Sequence, residues 1–388
     1  MRRVAAGLLC VSLLAGCAET MKAPEPPAAP QVEQPPVKMP NDLLAGMPDY
    51  PDRKNIYAAA GPNMLRDDVK GDRELVYVPN TNSDRVHVID PNTMQVIDEF
   101  YGGPEPQHVV PSYDMRTLYV TSSRIPGGAV LPIDPVTGKP GQIMDIEDVY
   151  NLYFTPDGQF AIVVAEAYQR LDFYDPKTWQ RVKSSEFPDC EGINHMDFTL
   201  DGKTMLASCE FDNRMIAIDV ASGQQLRLFE LDVVSNGMPQ DTRLVPDGSV
   251  FLVADMHADG VYVFDSQATQ RIGYIPTGKG AHGIYFSRDA KVAYISNRGE
   301  GSVTVLDLST LTPIEKWTIP GGGSPDMGGV SADGKTLWLT GRYHGEVYAF
   351  DTTSGELKGR IPVGAGPHGL IVWPQPGRYS LGHTGNIR

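Results

Sequence analysis

The chain has 388 residues, 41% of them apolar and 21% charged, with 40 glycines, 32 prolines and a formal net charge of −15. So many turn residues leave little room for long helices and fit a soluble, mostly β protein. The acidic balance argues against nucleic acid or anionic lipid as a partner, because phosphate binding needs a basic footprint.

The first segment reads as a targeting device. Arg2 and Arg3 precede an apolar run over residues 4–14, too short to span a bilayer as a stable helix, and Leu14-Ala15-Gly16-Cys17 follows. That tetrapeptide resembles the lipobox of bacterial lipoproteins, which implies a signal peptide over 1–16 and a lipid membrane partner through acylated Cys17. An ordinary secretory signal with a chance cysteine is the alternative. Ala18 stands where an aspartate would resemble an inner-membrane retention signal, so the expected location is the periplasm, anchored to the inner leaflet of the outer membrane. Loss of Arg2 and Arg3 takes the charge to −17.

Residues 17–54 form the lipidated cysteine and a linker, with prolines at 24, 26, 27, 30, 35, 36 and 40. Proline fixes φ and favours an extended polyproline spacer of about 3.1 Å per residue. Residues 41–72 show no period, and irregular packing is expected there, with 56–60 as a candidate extra strand.

From residue 55 to 388 the chain reads as one unit. Seven apolar, β-rich stretches end in an aspartate and a turn, at Asp90, Asp134, Asp175, Asp219, Asp265, Asp307 and Asp351, in steps of 44, 41, 44, 46, 42 and 44 residues. Each step accommodates four short strands, the length of one propeller blade. A second turn series runs in phase at Asp157-Gly158, Asp201-Gly202, Asp247-Gly248, Asp289-Ala290 and Asp333-Gly334, with Asp114-Met115 as a degenerate member. Asp-Gly between alternating apolar runs signals a hairpin. Each unit is therefore strand A, Asp-Gly turn, strand B, loop, strand C, Asp turn, strand D. The chain enters at a B strand (74–79) and leaves at an A-like strand (369–373), so the last strand should complete the first blade and hide both free edges. The predicted fold is all-β: a seven-bladed β-propeller of four-stranded antiparallel blades, closed by its C-terminal strand.

The B strands carry a family resemblance. Tyr77-Val78-Pro79-Asn80, Tyr119-Val120-Thr121-Ser122 and Tyr294-Ile295-Ser296-Asn297 resemble the tyrosine-valine-threonine-asparagine repeat of the YVTN propellers, to which the YncE-like proteins belong. The sequences FTPDG (154–158), FSRD (286–289) and VSADG (330–334) resemble its second signature. The resemblance covers about residues 74–373 and implies a fold, whereas function must be argued from a site.

Cys190 and Cys209 flank one A–B hairpin of the fourth blade. In an oxidising compartment the pair favours a disulfide worth about 3 kcal/mol. A free pair or a thiolate metal site is the competing reading, weakened by the lack of CxxC spacing.

Histidine is the chemically sharp feature. His108, His195, His282 and His368 each open an A strand, 87, 87 and 86 residues apart, and the intervening A strands place Asn151, Asp241 and Asp326 at corresponding positions. A propeller brings such positions to one channel. Register is uneven: His282, Asp326 and His368 sit four residues before the apolar residue preceding the turn, and His195, Asn151 and Asp241 three. A one-residue shift turns a side chain to the other face unless a bulge restores it. The same rim should carry Arg124, Glu210, His257, Arg298, Arg342 and His344.

The expected metal ligands are His108, His195, His282, His368, Asp241 and Asp326, and the expected ion is copper or zinc, because neutral imidazole suits both. Arginines near such a centre would favour a small anionic ligand. A lactonase or lyase with histidine as general acid or base is a second reading. A non-catalytic envelope scaffold or ligand-binding propeller with a protein partner is a third. No nucleotide loop, nucleophile elbow, haem CxxCH or zinc-protease signature is present, which argues against phosphoryl transfer, serine hydrolysis and c-type cytochrome chemistry.

Overall fold

A computed structural model describes residues 32, 37, 40, 42–383 and 385–388. The signal peptide, Cys17 and most of the proline-rich spacer lie outside the described residues.

Seven antiparallel sheets follow one another along the chain. The first is built from both ends of the repeat region: Ile371–Trp373 pairs with Leu75–Asn80 and supplies the A strand, so the ring closes as the turn count requires. Blade 2 departs from the pattern. Its D strand is the two-residue Lys139–Pro140, and Met144–Asp145 pairs separately with the C strand Ala129–Asp134.

Side-chain hydrogen bonds explain the two turn series. At the C–D turns an aspartate oxygen accepts a backbone N–H two residues on, as in Asn92 to Asp90 (2.8 Å), Lys177 to Asp175 (2.8 Å) and Ser309 to Asp307 (2.8 Å). At the A–B turns a Ser or Thr hydroxyl donates to the aspartate two residues later, at 2.6 Å for Thr155–Asp157, Thr199–Asp201 and Ser331–Asp333. The residue after that aspartate has φ near +70° at Gly158, Gly202 and Gly248, which glycine adopts without a Cβ clash. Met115 and Ala290 hold the same turn at φ +62° and +60°.

Burial falls from the axis outwards. The A strands Pro106–Pro111, Ile193–Phe198, Pro239–Leu244 and Pro325–Val330 are buried at every position, whereas the D strands Gln95–Tyr101 and Thr312–Thr318 are mostly exposed. Apolar side chains fill the gaps between neighbouring blades, so the core is a ring of seven clusters around a polar axis.

The A–B turn face is covered. Residues 42–72 cross it through Leu44 N to Asp201 O (2.7 Å), Ile56 N to Pro246 O (2.7 Å) and Asn63 N to Ala332 O (2.8 Å). The expected strand at 56–60 is instead a 3-10 turn at Ala58–Ala60. Alanine has little preference for the extended state. After Trp373 the chain turns back under the ring and into the axis. Phe154 N donates to Leu381 O (2.9 Å), and His383 N to Leu152 O (2.9 Å).

Candidate metal centre

Seven sequence-predicted positions meet at the axis. His108, His195, Asn151, Asp241 and Asp326 are fully buried, His282 is 1% exposed and His368 2%. The uneven register is absorbed by bulges. Strand pairing slips by one residue at the start of five A strands, between Pro106 and His108, Ile193 and Met196, Pro239 and Thr242, Ala281 and Ile284, and Pro325 and Gly328. An extra residue at each slip re-aims the side chain, so His108, His195, Asp241, His282 and Asp326 face one point although their offsets differ, while Asn151 and His368 reach it without a slip.

The groups form two triads, each with its ligand atoms within 4.8 Å of one another: His282, Asp326 and His368, and His195, Asp241 and His383. The last histidine escaped the sequence reading. It comes from the tail, not from a blade, and no period marks it.

In the first triad Asp326 Oδ1 lies 3.0 Å from His282 Nδ1 and 3.1 Å from Arg298 Nη1, and Oδ2 lies 3.7 Å from His368 Nε2. Gln107 donates through Nε2 to Ser123 Oγ (2.8 Å), which turns its amide oxygen towards His368 Nδ1 at 3.1 Å. An amide oxygen only accepts, so Nδ1 carries the proton and Nε2 shows its lone pair to the carboxylate side.

In the second triad Asp241 Oδ1 lies 3.4 Å from His383 Nε2, and Oδ2 accepts from Arg243 Nε (3.2 Å) and Ile284 N (2.9 Å). Asn151 accepts from Leu152 N through Oδ1 (2.8 Å) and so presents its NH2 to Nδ1 of His383 (2.9 Å) and of His195 (3.3 Å). Both rings then carry their proton on Nε2, the opposite tautomer to His368.

Burial disfavours charge on every imidazole here. His108, His195 and His368 are held well below the usual 6.5 by desolvation first and by neighbouring positive groups second. His282 and His383 are also lowered by burial, against the pull of Asp326 and Asp241. Burial works against the carboxylates too, but Arg243 and His383 outweigh it and bring Asp241 to about 2. His282 and Arg298 overcome the same penalty at Asp326, which lies lower still. Neutral imidazoles with ionised carboxylates are the protonation states that metal binding requires.

Among the described residues several buried polar atoms of the site lack a hydrogen-bond partner: both nitrogens of His108, His195 Nε2 and Asp326 Oδ2. Each such atom costs about 1–3 kcal/mol unless something satisfies it. An ion held by these atoms would take up their lone pairs.

The predicted rim residues divide. Arg298 reaches Asp326, and Arg342 donates to Thr81 Oγ1 (3.0 Å) and Gly366 O (3.4 Å) while its charge acts on Asp326 and His368. Glu210 accepts from Asn194 and sits beside Glu166, whose carboxyl is pushed up by burial and by Glu210. Arg124, His257 and His344 stay exposed and are engaged elsewhere, with Asp84 and Glu105, Asn236 O and Ser324 Oγ. Cys190 and Cys209 are bonded in the apolar layer between blades 3 and 4.

The tail that delivers His383 is pinned below the site. Arg388 Nη2 meets Asp197 Oδ1 at 2.7 Å, Asn386 Nδ2 donates to the same oxygen (2.9 Å), and Arg388 Nη1 donates to Tyr50 OH (3.2 Å).

Residues 73–376 match the family model of the YncE-like β-propellers. No curated protein matches the chain. Among solved structures, it is similar to a protein of unknown function from Desulfotomaculum acetoxidans, at 16% identity and a TM-score of 0.63, over 77% of this chain and 99% of that one. Hydrazine synthase from Kuenenia stuttgartiensis aligns at 19% identity and a TM-score of 0.59, over 80% and 99%. The dihydro-heme d1 dehydrogenase NirN in complex with DHE aligns at 17% identity and a TM-score of 0.54, over 89% and 82%. At these identities the likeness is one of fold.

Proposed function

The chain belongs to the YncE-like β-propeller family, and on that footing we propose that it is a cell-envelope lipoprotein whose axial chamber binds zinc(II) or copper(II) at its two His/Asp triads. The observation that carries this reading is the set of buried, uncharged imidazoles facing ionised carboxylates with unsatisfied ligand atoms between them. A water-lined structural channel would explain polar groups at an axis. It gives no reason for five imidazoles to gather there with two aspartates.

The donor set favours zinc(II) or copper(II) over softer ions, since both remaining cysteines are bonded to each other and every ligand is nitrogen or oxygen. The same disulfide supports an oxidising compartment, and Leu14-Ala15-Gly16-Cys17 supports the lipid anchor there. Arg298 and Arg342, on the side of the first triad, favour a small anion as the exogenous ligand of a bound ion.

The test is metal analysis of untagged protein, loaded with zinc or copper and desalted. Two equivalents are expected, with both lost in the His195→Ala, His282→Ala double variant. Less than about a tenth of an equivalent in the wild type would end the proposal, because several imidazoles should retain either ion.

A further inference from the structure

Two triads ask for two further ligands, and one imidazole is placed to supply them. His108 belongs to neither triad, yet its ring centre lies 4.7 Å from that of His368, 5.2 Å from His383 and 5.6 Å from His195. Two imidazoles on one tetrahedral ion hold their ring centres about 5 Å apart. His108 therefore stands at coordinating range of a member of each triad. Within the second triad His195 and His383 already hold that spacing at 4.7 Å, whereas His282 and His368 stand 6.1 Å apart and must close to share an ion.

The local backbone explains why the ring sits there. His108 opens the A strand of blade 2, which runs beside His368-Gly369: Val109 N donates to Gly369 O (2.9 Å) and Gly369 N to Gln107 O (2.8 Å). A Cβ on Gly369 would come within 1.9 Å of His108 Nδ1, so only glycine lets the imidazole lie against the neighbouring strand. Neither ring nitrogen has a hydrogen-bond partner, although the side chain is fully buried. Structural histidines in cores are normally hydrogen-bonded, and a buried ring bonded to nothing calls for a ligand role.

We propose that His108 is a shared ligand that completes one triad at a time, so that the chamber holds one ion with four protein ligands and a second with three. The inference rests on the metal-binding reading above and adds its consequence. A site with four protein ligands is closed, whereas one with three keeps a position for water or substrate. The chamber would thus hold one tightly bound ion beside one exchangeable ion.

Titration of the chelator-stripped full chain with zinc against a competing chromophoric chelator tests this. Two ions should bind, the first at least tenfold more tightly, since even a lost outer partner of a ligand costs 10–100-fold. Repulsion between two ions would also separate their affinities, so His108 variants decide the cause. His108→Ala and the bulkier His108→Gln should each keep two ions and narrow the gap by about tenfold, by weakening the first and leaving the second unchanged. One ion in all, two of equal affinity in the wild type, or an unchanged gap in a folded variant overturns the proposal. Failure to bind any zinc would sink the metal reading itself and is a separate result.

Discussion

The two triads share a composition and differ in how they are built. His282, Asp326 and His368 all stand at A-strand entries of the closed ring, and Gln107 leaves His368 with its Nε2 lone pair towards the carboxylate. His195 and Asp241 also come from blades, but their third member hangs from the tail, and Asn151 holds His195 and His383 in the tautomer that puts a proton on Nε2. In the first set His368 already shows a lone pair to the carboxylate, while His282 directs Nδ1 at Asp326 Oδ1. The other must move a proton on each of two rings and depends on a tail held by Arg388 and Asn386. Convergence of the right residue types is therefore only the first requirement of a metal site; tautomer and tether are further ones.

The largest way to break this contrast is to release the tail. Arg388→Ala leaves Asp197 buried with its charge uncompensated, and such a loss costs about 3–5 kcal/mol. Chemical denaturation should show that destabilisation, and metal analysis should show one ion lost from the His383 side with the other retained. Equal retention of both ions would mean that the tail does not contribute a ligand.

A smaller, sharper test exchanges the outer partners. Asn151→Asp offers a carboxylate to Nδ1 of His195 and His383, reverses their tautomer, and should tighten zinc on that side by about 10–100-fold. Gln107→Ala removes the acceptor of the His368 Nδ1–H and should weaken the opposite side by a similar factor. Competition titrations read both, and movement of the same ion in both variants would contradict the assignment of partners.

The smallest effect concerns pH. The five chamber imidazoles have folded-state pKa values below the ordinary 6.5, so below neutrality the unfolded chain binds protons that the metal-free folded chain does not. Stability should therefore fall as pH drops from 7.5 through 6.5 and continue falling towards the depressed folded values. By pH 6.5 the loss is about 0.4 kcal/mol per imidazole. Thermal melts of chelator-treated protein at the two pH values measure it, and a flat profile would mean that these rings charge as readily folded as unfolded.

The sequence made the ring legible because each blade repeats its turn chemistry. Asp90 or Asp307 at a C–D turn and Thr199 with Asp201 at an A–B turn are local hydrogen-bonding units that need no distant partner. The blade histidines were legible through the same period, since position in the repeat fixes distance from the axis. His383 was not, because its place follows from how the tail packs beneath the blades. The 3-10 turn at Ala58–Ala60 escaped for the same reason. Gln107 and Arg243 show which atoms they serve only once the bulges have set their direction, and Asn151 only once the tail has brought His383 beside it.

Ring closure also imposes an order of events on the living protein. Residues 371–388 leave the ribosome after every other strand of the propeller, and they supply both the strand that shuts blade 1 and the imidazole at the floor of the chamber. No partially synthesised chain can hold the full set of donors. Loading of the proposed ions would then follow translation, and a polypeptide that stops between Trp373 and His383 keeps every strand of the ring yet lacks the tail imidazole.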